Sequence, residues 1–143
     1  MGDTTEVPDP HWVYIVQIDT TWGPKLSGKA RAGQPCLYVG QTGIYFHDRF
    51  RQHLRGLKQN EAGEGGAAKP FVKIRECRVE RGLEGQLESG KDAWLRKDMM
   101  QELGLLEPIS GRKSALRIEF MVASHFREEG YLVFGPKKPP ENL

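Results

Sequence analysis

Apolar residues recur along this chain at two spacings, and those spacings predict its elements. From His11 to Asp19 the run HWVYIVQID is nearly all apolar or β-branched, the pattern of a strand covered on both faces. The segment TTWGPKLSGKARAGQP carries three glycines and two prolines and predicts a long basic loop. CLYVG is then a short strand ending at Gly40, after which Gln41-Thr42-Gly43 turns the chain toward a helix. That helix, over 46–57, sets Phe46, Phe50, Leu54 and Leu57 at helical spacing, with Gly56 placed to stop it. KQNEAGEGGAAKP reads as a Gly-rich tether, and FVKIRECRVE over 71–80 suits a strand or a short helix. A helix is expected over 92–103, closed by Gly104. Residues 108–113 form a turn, and Ser114 is the candidate N-cap of a last helix over 115–129 that stops at Gly130. YLVFG comes next as a short strand. The pattern contains no internal repeat. It predicts a mixed α/β (α+β) domain over 11–135, with a small, mostly antiparallel central sheet of about three strands flanked by helices. Residues 1–10 would be a loose arm and 136–143 a tail.

Composition narrows the class. A chain of 143 residues has the length of one domain, and 38% hydrophobic with 28% charged residues suits a folded protein. No apolar run approaches the roughly 18–20 residues that span a membrane, so no membrane partner is expected. The polar, acidic start MGDTTEVPDP is unlike a signal or transit peptide. Cys36 and Cys77 show no paired spacing, which favours neither a disulfide framework nor a zinc site and makes a reducing cytoplasm the simplest compartment.

Charge is uneven. Residues 20–60 hold seven basic side chains (Lys25, Lys29, Arg31, Arg49, Arg51, Arg55, Lys58) against Asp48 alone. That net of +6 leaves −4 for the remainder of a chain whose total is +2. One face can therefore bind phosphates while the whole stays near neutral, although a merely well-solvated surface fits the same numbers.

Three positions stand out on physical grounds. On a helical wheel advancing about 100° per residue, Ala115, Leu116, Val122, Ala123 and Phe126 all fall within about 60° of Glu119. A carboxylate at the centre of an apolar face needs a cation or donors to meet it: a core arginine, or a hard metal ion such as magnesium. Arg49 and His53 stand four apart and edge the apolar stripe of Phe46, Phe50 and Leu54. There an arginine can grip a phosphate with two hydrogen bonds; a snorkelling arginine beside a half-buried histidine is the structural alternative. Arg51 and Arg55 point away, as backbone contacts to a nucleic acid would.

VYI at Val13–Ile15 and YVG at Tyr38–Gly40 resemble the paired motifs of the GIY-YIG nucleases, with Tyr14 and Tyr38 in the tyrosine positions. The order of the later segments strengthens the likeness. DRFRQH, carrying Arg49 and His53, is similar to the family's arginine helix, and ALRIEFMVASHFREEGY is similar to its glutamate helix, with Glu119 as metal ligand. The resemblance spans about Trp12 to Phe134 and leaves 57–112 unmatched. Departures are Val13 in place of the first motif's glycine, a longer loop between the tyrosines, and Leu132 and Gly135 where many members have an asparagine. Strand tyrosines taken singly are as well explained by packing.

The resemblance implies a metal-dependent endonuclease hydrolysing DNA phosphodiesters, with one cut per site and 5′-phosphate and 3′-hydroxyl products. Glu119 would hold one divalent ion, magnesium with manganese able to substitute. Arg49 would steady the phosphate, Tyr14 aided by His53 would accept the water proton, and Tyr38 would orient the water or the base. Lys25, Lys29, Arg31, Arg51, Arg55 and Lys58 would contact double-stranded DNA, and the protein would act as a monomer or homodimer. The rival expectation is a catalytically inactive DNA-binding or protein-interaction module on the same scaffold.

Overall fold

The structure is a computed structural model in which residues 6–56 and 69–141 are described. Strand β1 (Pro10–Ile18) is its axis. Along one edge β1 pairs antiparallel with β2 (Cys36–Thr42), in a register that opposes Tyr14 to Gly40 and Val16 to Tyr38. Its other edge carries two short strands end to end. β3 (Ala93–Leu95) pairs with Val16–Ile18, and β4 (Ile109–Ser110) pairs with Pro10–His11, both antiparallel. β5 (Leu132–Phe134) runs parallel to β2 and completes a five-stranded, mostly antiparallel sheet flanked by helices. Val13 to Val16 are at most 1% exposed, so β1 is covered on both faces as its apolar run predicts.

Among the described residues five helices are set around the sheet, in chain order α1 (Gly23–Leu26), α2 (Phe46–Leu54), α3 (Lys69–Glu80), α4 (Lys97–Glu102) and α5 (Arg112–Glu128). α5 packs along β1, β2 and β5, while α2 packs against β1 and α3. None of the described helices is long and apolar enough to cross a membrane.

Several expectations change. The sheet has five strands rather than about three. The helix expected over 92–103 is β3 followed by α4, because Ala93–Leu95 supplies the edge of β1 with a ladder partner. Asp92, expected to begin that helix, is instead a buried hub. Its carboxylate accepts from Arg78 Nη1 at 2.8 Å, Trp22 Nε1 at 3.1 Å and the Glu88 amide at 2.8 Å. The segment over 71–80 is helical. The basic loop contains a 3-10 turn over Thr20–Trp22 and the short α1. α5 starts three residues before the predicted Ala115, with Gly111 rather than Ser114 at its N-cap and no side-chain cap. α2 ends at Leu54, and Gly56 adopts φ +73°, a stop that a glycine makes without strain. The arm is anchored at its end: Gly111 N–H donates to Asp9 O and Ser110 Oγ to Pro8 O. Most of the Gly-rich tether, with Leu57 and Lys58, lies outside the described residues.

Candidate active site

Register brings the two tyrosines together. Tyr14 opposes Gly40, and Tyr38 stands two residues from Gly40, so all three share one face of the sheet. Gly40 leaves the space that the rings occupy. A Cβ there would lie 2.8 Å from Tyr14 Oη and 2.8 Å from Tyr38 Cε1. The ring centroids are 6.0 Å apart. The helical period of α2 turns Phe46, Arg49, Phe50, His53 and Leu54 inward. His53 meets the tyrosines directly: its Nε2 is 2.7 Å from Tyr14 Oη, and its ring is 5.1 Å from that of Tyr38. Phe71 of α3 stacks on His53 at 4.2 Å and closes the cluster.

The result is an inner layer removed from water. Tyr14 and Arg49 are each 1% exposed and His53 is 0% exposed, deeper than the helix-edge position expected for Arg49 and His53. Burial holds the Tyr14 phenol well above its ordinary value, against the lowering influence of the Arg49 charge and the Tyr38 hydroxyl. Tyr38 is raised chiefly by burial, with the Tyr14 hydroxyl adding to the rise. His53 is pushed well below its ordinary value by burial and then by the Arg49 guanidinium. At neutral pH the imidazole is therefore uncharged, which leaves Nε2 able to accept the Tyr14 hydroxyl proton once the other proton sits on Nδ1.

This layer is not self-satisfied. Arg49 Nη1 donates to Gln52 Oε1 at 2.6 Å, but Arg49 Nε and Nη2 and His53 Nδ1 are buried with no hydrogen-bond partner among the described residues. Leaving such a group unmatched costs about 1–3 kcal/mol, more when it is charged.

Outward of the cluster lies a cleft of about 880 Å³ whose walls include Tyr38, Glu119, Lys29, Lys69, Lys73 and Lys137. Glu119 is half-buried and its charge acts on both tyrosines. It also has an interaction within the chain. Tyr38 is thus the phenol on the cleft wall, with Tyr14, Arg49 and His53 behind it. Of the basic residues expected to meet nucleic acid, Lys29 lines the cleft. Lys25, Arg31 and Arg55 are exposed elsewhere, Arg51 is exposed and pairs with Asp48 at 2.9 Å, and Lys58 falls outside the described residues.

Sequence reasoning missed Gly40, Phe71, Lys69, Lys73 and Lys137. Lys69, Phe71 and Lys73 sit on α3, of which the sequence left 71–80 open between strand and helix and assigned Lys69 to the tether. Only the opposed register with Tyr14 marks Gly40.

The donor set decides which metal could fit. Among the described residues no three His, Cys, Asp or Glu side chains gather, which disfavours a closed zinc-type site. One carboxylate suits magnesium, which keeps several waters and takes further oxygens from substrate phosphate. Glu119 is the residue that would hold it.

Compared with known proteins, the chain matches no family model, no curated protein and no solved structure.

Proposed function

We propose that this protein is a metal-dependent endonuclease of the GIY-YIG type, hydrolysing phosphodiester bonds of DNA. The observation that carries the reading is the convergence of Tyr14, Tyr38, Arg49 and His53 in one buried cluster beside a lysine-lined cleft that holds Glu119. Residues from two strands and two helices meet there, with unmatched donors on Arg49 and His53.

The lysines of the cleft hold the backbone of the nucleic acid. Arg49 lies behind the cleft wall, so its Nε and Nη2 meet a phosphate only when the layer in front of them moves aside, and would then offset charge that builds on its oxygens during attack. Water attacks phosphorus in line and the bond to the 3′ oxygen breaks, leaving 5′-phosphate and 3′-hydroxyl ends. The water proton passes to the phenols: Tyr38 faces the cleft, Tyr14 lies behind it, and His53 Nε2 ends the line. Phosphate beside Arg49 offsets the positive charge that disfavours protonated His53, so substrate makes the line a better proton acceptor. Glu119 would hold a magnesium ion, which when bound would supply Lewis-acid polarisation of the phosphate, and the leaving 3′ oxygen takes its proton from solvent.

A second reading is favoured by burial alone: with Tyr14, Arg49 and His53 at most 1% exposed, the cluster serves as a rigid core and the cleft binds DNA without cutting it. Plasmid nicking with and without magnesium, beside a gel shift in calcium, separates the two. The nuclease reading expects magnesium-dependent nicking that Glu119→Ala abolishes while the gel shift persists. Magnesium-dependent cutting by Glu119→Ala would refute the assignment, and binding without any nicking would support the second reading.

A further inference from the structure

The wall of the cleft on the β5 side is built unlike a phosphate-binding surface. Phe134 is the register partner of Tyr38 in the parallel β2–β5 pair, so the two aromatic side chains emerge side by side from one face of the sheet. Leu132 and Pro136 extend that wall, and Leu26 of α1 adds to the apolar lining. Phe134 is half-buried, whereas the Tyr131 ring packs edge-on against Phe126 of α5 at 5.3 Å. The cations stand around this apolar part, on Lys29, Lys69, Lys73 and Lys137.

The wall is also held still. Arg127 donates to three main-chain carbonyls beside it: Pro136 at 2.6 Å, Gly135 at 2.9 Å and Val133 at 3.1 Å. That use occupies a cation which would otherwise be free for phosphate. Gly135 lets the strand end sit close, since a Cβ there would lie 3.1 Å from Val39 O and 3.4 Å from the Ala123 Cβ.

An unbroken duplex presents a convex ridge of phosphates, and an aromatic-walled hollow offers it nothing. A base swung out of the stack presents a flat apolar face with its phosphates on either side, which matches an aromatic wall rimmed by lysines. At about 880 Å³ the cleft has the capacity of an ordinary small-molecule site, enough to admit such a base.

We infer that the wall formed by Phe134 beside Tyr38 seats one unpaired nucleobase, so that the substrate class is nucleic acid with an unpaired nucleotide next to the cut bond. This rests on the nuclease reading and narrows it. The unpaired base stacks on the wall, the lysines take the flanking phosphates, and the adjoining phosphodiester is brought to Glu119 and Tyr38.

The test uses the full chain in calcium with two synthetic DNAs, a perfect duplex and the same duplex carrying one unpaired 2-aminopurine. Stacking of one base on an aromatic wall predicts about tenfold tighter binding of the bulged DNA, with quenching of the 2-aminopurine fluorescence. Phe134→Leu keeps apolar bulk but removes the ring, and should bring the affinity ratio toward one and lift the quenching. Lys73→Glu should weaken both DNAs in the same proportion. Equal affinity of the unaltered protein for the two DNAs overturns the inference, as does full quenching in Phe134→Leu. The wild-type comparison decides even if a leucine variant fails to fold. Absence of any DNA binding at low salt defeats the nuclease reading as well, whereas nicking of perfect duplex without preference defeats this inference alone.

Discussion

Replacing Gly40 by alanine sets two effects of opposite sign against each other. Gly40 lies in β2 with no positive φ, so an alanine fits the backbone and would by itself stabilise the fold by about 0.4–1 kcal/mol through the unfolded chain. Against this, the new Cβ would sit 2.8 Å from Tyr14 Oη, 2.8 Å from Tyr38 Cε1 and 2.9 Å from Tyr14 Cζ. Carbon atoms rest at about 3.5–4.0 Å, so three contacts are too short at once, and both rings are fixed by neighbours. Tyr14 is bonded to His53 at 2.7 Å, and Tyr38 abuts His53 and Phe71. Overpacking of this kind costs about 1–3 kcal/mol, which exceeds the entropic gain. We expect Gly40→Ala to lose about 1–2 kcal/mol in urea denaturation and, because the phenols must shift, to lose most nicking activity. Gly28→Ala is the control, since nothing lies within 4 Å of its Cβ and the clash is absent. A Gly40→Ala protein as stable as wild type and equally active would show that the tyrosine pair is not held as described.

Other predictions draw on separate features. His53 has a depressed folded pKa, so below the unfolded value near 6.5 the unfolded chain takes up a proton that the fold refuses, and stability falls as pH drops. Stability of the wild type should therefore fall more steeply between pH 7.5 and 5.5 than that of His53→Gln in urea denaturation; equal pH slopes in the two proteins would contradict it. Asp92→Ala takes the nearest carboxylate from the buried Arg78, leaving it Glu88 and the Glu84 carbonyl, and unpairs Trp22 Nε1 and the Glu88 amide, so it should cost about 3–5 kcal/mol in the same assay, whereas a loss near zero would remove Asp92 as a structural hub. Converting Lys29 and Lys73 to glutamate should weaken DNA binding and lower the salt slope by about one for each phosphate no longer neutralised. An unchanged slope would place the nucleic acid elsewhere.

How much of this was readable in the sequence depends on side-chain period and length. β1 declared itself because both faces are buried and its run is long. β3 and β4, at three and two residues, are shorter than any alternation that can be recognised, and they exist because β1 has a second edge to satisfy. α4 and β3 merged into one expected helix because DAWLRKDMMQEL has helical composition, while the bonds that pin Asp92 come from residues four to seventy positions away. At the site, the wheel placed Glu119 on the apolar face of its helix and Arg49 with His53 at the edge of theirs, since helical spacing alone fixes those directions. The depth of Arg49 was not readable, because the Phe71 lid over its cluster belongs to α3. Gly40 carried no signal either: a missing side chain has no period, and its role exists only opposite Tyr14. Lys69, Lys73 and Lys137 lie outside the basic stretch over 20–60 and reach the cleft only through the tertiary fold.

The central claim is that Glu119 and the buried cluster serve one phosphate. Crystals of the protein with an uncleaved phosphorothioate DNA, soaked in manganese, test it most directly through the metal's anomalous signal. The expected result is a peak at the Glu119 carboxylate, with a DNA phosphate in the cleft held by Arg49. A manganese peak away from Glu119, or a bound phosphate that Arg49 does not touch, would contradict the account.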